Sequence, residues 1–231
     1  MQETNVETSR IEYASNEHQT PAYLAEPEGD GQYPGVIVLQ EWWGLVPHIE
    51  EVARRLAAEG FVALAPDLYH GEKAEEPDEA RKLVMALDRE RAVAEIRAAV
   101  RHLQQMERVQ PRKVGIVGWC MGGALALSTA AEEEELGAVV AFYGRPLAEG
   151  DVGRIQAPVL GLYGSEDHGI STDAVREFGS RLAAHQIPHE MHIYEGAHHA
   201  FFNDTRPSVY HAEAAEDAWK RTLAWFRQYL R

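Results

Sequence analysis

Between an apolar run at residues 114–117 and a helix-forming run at 124–131 stands Gly118-Trp119-Cys120-Met121-Gly122, which holds the only cysteine of the 231-residue chain. Strand, glycine-flanked residue and helix in that order describe a sharp turn that lifts one side chain above the end of a sheet. The glycines fit such a turn because a Cβ at the flanking positions would strike backbone that must pass close to a strained residue. A lone cysteine is more often a small buried hydrophobe. With strand, glycines and helix all in place, Cys120 reads instead as a nucleophile.

The rest of the chain supplies the sheet that this turn requires. Apolar, β-branched runs alternate with amphipathic segments of helical length, the pattern of a largely parallel sheet covered on both faces. An antiparallel pair is expected at 11–13 and 22–25, then strands at 36–39, 61–65, 113–117, 138–143, 157–163 and 189–194. Helices are expected at 47–59, stopped by Gly60, at 78–107 with a break near Leu87-Asp88, at 172–185 and at 209–230. Residues 69–77 form a polar loop of the kind that borders active sites. Trp219, Leu223, Trp225 and Phe226 recur at core spacing on the last helix. The expected architecture is one α/β domain over residues 1–231.

Charge narrows the classes of partner. Lys and Arg number 22 against 37 Asp and Glu, a formal net charge of −15. Such a surface repels nucleic acid and anionic membranes, so neither is an expected partner. A single cysteine forms no internal disulfide, the first residues lack the basic and apolar regions of a leader, and no apolar run approaches spanning length. The expectation is a cytoplasmic monomer or homodimer.

A nucleophile needs a base and an orienting acid. The strand at 157–163 runs into Gly164-Ser165-Glu166-Asp167-His168-Gly169, placing a carboxylate just past a strand end, where ligands of open α/β sheets bind. The strand at 189–194 runs into Glu195-Gly196-Ala197-His198-His199-Ala200-Phe201. Nucleophile, acid and histidine thus follow in the chain order of an α/β-hydrolase triad. An acyl-transfer site also needs donors for an oxyanion, each contributing about 3 kcal/mol. The Met121 N–H at a helix start is one candidate, and the Trp42 N–H in Gln40-Glu41-Trp42-Trp43-Gly44 is the other.

These motifs together resemble the dienelactone hydrolase family from about residue 9 to the C-terminus. The resemblance rests on Gln40-Glu41 with Gly44, on Gly118-x-Cys120-x-Gly122-Gly123, on the Asp167 loop, and on Gly196-Ala197-His198-His199-Ala200-Phe201-Phe202-Asn203-Asp204. It implies an α/β-hydrolase fold, a Cys120-Asp167-His199 triad with His199 and not His198 as the base, and a Glu41 beside the thiol that helps to activate it. A free thiol is only slightly ionised at neutral pH, so a neighbouring carboxylate that accepts its proton has a clear use. The family's lactone-cleaving members hold a substrate carboxylate with arginines. Arg81 and Arg206 lie in the corresponding regions without matching the spacing, and Arg145 is a further candidate.

The activity expected is hydrolysis of a small ester or enol lactone through a thioester, with no metal or organic cofactor. Thiolate is itself a good leaving group, so substrates with acidic leaving groups are favoured. Trp42, Trp43, Tyr143, Phe201 and Phe202 are expected to wall the acyl site. Three alternatives compete: an activated phosphotriester as the working substrate, a metal centre drawn from Asp167, His168, His198, His199 and Asp204, and a small-molecule-binding domain with an idle turn.

Overall fold

The computed structural model describes residues 5–15 and 18–231. Eight strands form one sheet in the order β1-β2-β4-β3-β5-β6-β7-β8. They are β1 (Val6–Ser15), β2 (His18–Pro27), β3 (Gly35–Leu39), β4 (Val62–Pro66), β5 (Val114–Trp119), β6 (Leu136–Phe142), β7 (Val159–Gly164) and β8 (His189–Tyr194). β1 and β2 are antiparallel to their neighbours, and every pairing from β4 to β8 is parallel.

The strands at the centre are apolar on both sides, as a sheet covered on both faces demands. Ile37 and Leu39 of β3 face one core layer with Val62 and Leu64 of β4, while Val36 and Val38 face the other with Ala63 and Ala65. The first layer is closed by helix α3 (Arg89–Gln105), α4 (Met121–Ala130) and α6 (Thr172–Ala184). The second is closed by α1 (Pro47–Ala58) and α7 (Ala212–Tyr229). Trp225 and Phe226 are buried there, as their spacing predicts. Two further helices, α2 (Pro77–Ala86) and the four-residue α5 (Glu149–Val152), lie on loops. The expected break in the helical stretch after residue 77 falls at Leu87-Asp88, where the Asp88 side chain accepts from the Arg91 N–H and starts α3.

Two expectations shift. β1 runs over ten residues where only three, 11–13, were foreseen, because an edge strand exposed on one face carries polar residues that hide it from a hydrophobicity reading. α7 begins at Ala212 and not at 209, because the His211 ring caps the Ala214 N–H. Among the described residues no helix is long and apolar enough to cross a membrane.

Candidate active site

Cys120 stands between β5 and α4 with φ 54° and ψ −113°, a left-handed backbone that L-residues adopt at a cost. Neighbouring strands hold it there: its N–H donates to the Phe142 carbonyl at 3.0 Å. The turn is tight enough to forbid side chains on either side. A Cβ on Gly118 would lie 2.2 Å from the Gly122 carbonyl oxygen, and one on Gly122 would lie 2.5 Å from that of Gln40. Cys120 is half-buried and lines a cavity of about 510 Å³.

Asp167, in the loop after β7, and His199, in the loop after β8, are joined by a hydrogen bond of 2.6 Å from Nδ1 to Oδ2. The other carboxylate oxygen accepts from the Gly169 and Ile170 N–H groups at 2.8 and 3.1 Å. Burial pushes the Asp167 carboxyl up, but the His199 ring and these two donors outweigh it and hold the group below its ordinary value. Burial lowers the basicity of His199. Hydrogen bonding and charge from Asp167 and from the Cys120 sulfur prevail, pushing its pKa up to about 10.

The oxyanion candidates meet the same cavity, which is lined by both Trp42 and Met121. Among the described residues neither of their N–H groups donates to a protein acceptor. A residue without an expected role joins them: the Tyr69 hydroxyl lies 3.3 Å from the Trp42 carbonyl oxygen and 3.3 Å from the Met121 sulfur. Burial, then the neighbouring Cys120, raises that hydroxyl above its ordinary range, so it stays a donor. Its loop was legible as a border of the site, but a tyrosine within a polar loop carries no signal of its own.

Glu41 is 1% exposed and does not pair directly with the thiol. Its Oε1 accepts from the Tyr143 hydroxyl at 3.2 Å and its Oε2 from the Asn203 amide at 2.6 Å. Among the described residues no hydrogen bond joins it to Cys120. Tyr143 is the link between them: burial, the Glu41 carboxylate and Cys120 all raise its hydroxyl far above the ordinary range. Its φ of 39° is strained, and its ring centroid lies 5.0 Å from that of His199. Asn203 had no assigned role, although it stood inside the motif that carried the resemblance.

Several expected wall residues lie elsewhere. Tyr143 and Arg145 line the cavity with Trp42, but Trp43 does not. Its ring is 6% exposed, packed on Ala74 and Ala80, with the Arg206 guanidinium 3.5 Å from its centroid. Arg206 thus stacks on an aromatic face and is not among the residues lining the cavity. Phe201 and Phe202 sink into the core against Phe142, because the left-handed Ala200 at φ 63° turns the chain inward directly after His199. Arg81 pairs with Asp78 one helical turn away. Asp204 contacts His48 at 3.3 Å, and among the described residues no three His, Cys, Asp or Glu side chains are arranged to hold a metal.

The sequence matches the profile described as the Dienelactone hydrolase family over residues 20–230. The chain belongs to the dienelactone hydrolase family. Within that hydrolase family it is 36% identical over 228 residues to "Protein usf" of Aquifex pyrophilus, covering 95% of this chain and 98% of that one. It is 34% identical over 230 residues to the "Putative carboxymethylenebutenolidase" of Aquifex aeolicus, covering 96% and 98%. The crystal structure of the dienelactone hydrolase-like promiscuous phosphotriesterase P91, from metagenomic libraries, superposes with a TM-score of 0.89 at 26% identity, covering 98% and 99%.

Proposed function

We propose that this dienelactone hydrolase family member hydrolyses a small ester or enol lactone through Cys120. The observation that carries the reading is the convergence of three chain-distant elements on one cavity: a sulfur on a strained turn, an imidazole fixed by a buried carboxylate, and two undirected N–H groups. In the proposed reaction the Cys120 sulfur attacks the carbonyl carbon as the thiol proton passes to His199. The oxygen that gains charge is held by the Trp42 and Met121 N–H groups. Collapse breaks the carbon–oxygen bond to the leaving group, which takes the His199 proton. Water then attacks the thioester while His199 accepts its proton, releasing the carboxylic acid and restoring the thiol. Arg145, with Arg89 of α3, gives the cavity wall positive charge for an anionic substituent.

Intact-mass spectrometry with a panel of aryl esters and lactones tests this reading. An acyl adduct on the wild-type chain, absent in Cys120→Ala, is the expected result. Unchanged ester turnover by Cys120→Ala would overturn it. A phosphotriester is a second reading, supported by the likeness to P91. A tetrahedral phosphoryl centre could use the same nucleophile and donors. Comparing rates on 4-nitrophenyl acetate, an enol lactone and paraoxon separates the two: the first reading requires the carboxyl substrates to be turned over faster.

A further inference from the structure

α2 is a helix with little reason to be apolar where it is. Of its ten residues only Ala80 is buried, docked on Trp43 and Ala74. Yet at its far end Val84 is 36% and Met85 80% exposed, and both line the cavity that holds Cys120 and His199. Leu87, Ala124, Leu125 and Ile170 add further apolar lining to the same cavity. Solvent-exposed apolar side chains that line a cavity together offer a surface for an apolar ligand group. Methionine suits that task, since its flexible, polarisable chain packs against partners of varied shape. Arg89 borders the same end, leaving the apolar strip with a charged margin.

We propose that the substrate extends beyond the reacting carbonyl as an apolar group laid against Val84 and Met85, and that Met85 is a specificity-determining residue. The proposal rests on the Cys120 reading for where the carbonyl sits, and it names the substrate class: esters or lactones bearing an alkyl or aryl substituent long enough to reach α2. Binding buries Met85, which the free protein leaves in water. Selectivity for the longer substrate follows from that burial and not from the chemistry at the sulfur.

The test measures kcat and KM for 4-nitrophenyl acetate, 4-nitrophenyl octanoate and 4-octylphenyl acetate with wild type, Met85→Ser and Met85→Leu. The two long substrates place the extension on the acyl and on the leaving-group side. For at least one of them, Met85→Ser is expected to lower kcat/KM about tenfold, mainly through KM, the scale of a lost apolar contact. The short acetate keeps its wild-type rate, and Met85→Leu restores the long substrate. Equal losses on short and long substrates, or no loss on either long one, would overturn the proposal. Binding of the long esters to Cys120→Ala, with and without Met85→Ser, reads the contact even if ester turnover proves independent of the cysteine. Equal binding to both variants counts against the role of Met85, and weaker binding to the double variant supports it.

Discussion

The Asn203 amide donates to the buried Glu41 carboxylate across 2.6 Å, joining residues 162 positions apart in the chain. The amide cannot turn over, because its Oδ1 already accepts from the Thr205 N–H and hydroxyl at 3.1 and 2.6 Å. Among the described residues no cation pairs with Glu41, whose carboxyl is held by two neutral donors, Asn203 and Tyr143.

Asn203→Ala leaves Glu41 one donor short in a site closed to water. A loss of about 1–3 kcal/mol is expected, read as a lowered thermal midpoint of about 2–4 °C per kcal/mol for a chain of this size. Asn203→Asp places two carboxyls where both cannot ionise. One of them has its pKa raised by folding, so that variant regains stability as pH falls, which urea midpoints at pH 5 and 8 will show.

Asp167→Asn keeps the shape of the acid but removes its charge and changes which imidazole tautomer is held. Turnover is expected to fall about 10³- to 10⁴-fold, and labelling of Cys120 by iodoacetamide at pH 7 to slow with it. Normal labelling together with lost turnover would place the role of Asp167 in a step after thiolate formation.

The raised pKa of His199 makes a pH-dependent contribution to folding. It is present in full below the unfolded histidine value of about 6.5 and lost as pH rises through about 10. Asp167 acts in the opposite direction, its share being lost as pH falls through its lowered pKa. The stability gap between wild type and His199→Gln, from urea unfolding, is thus expected to be widest near pH 5–6 and to close toward both extremes.

Arg206→Ala removes a cation from the face of Trp43, an interaction worth about 0.5–2 kcal/mol. The variant is expected to unfold more easily while hydrolysing 4-nitrophenyl acetate within about twofold of wild type. A raised KM for an anionic ester in this variant would return Arg206 to the substrate.

Much of this was legible in sequence because strands and their order follow from apolar runs, and because the turn at Cys120 depends on small residues within five positions. Asp167 and His199 were visible for the same reason: each lies in the loop that follows a strand, β7 or β8, so the sheet fixes its place. The misplaced aromatics show the limit. Trp43 and Phe201 adjoin site residues in the chain, but a single left-handed residue, Ala200, decides where Phe201 and Phe202 go, and nothing in its identity announces that angle. The faint packing of α2 was equally hidden, since helical periodicity records which residues alternate and not how deeply the helix is seated.

That shallow seating separates two kinds of inheritance. Substitutions along the outward end of α2 disturb no core layer, whereas the sulfur, imidazole and carboxylate are locked to the rims of neighbouring strands. If α2 sets substrate choice as proposed, lineages built on this scaffold would exchange their diet of substrates by editing one peripheral segment, with the proposed catalytic residues carried along untouched.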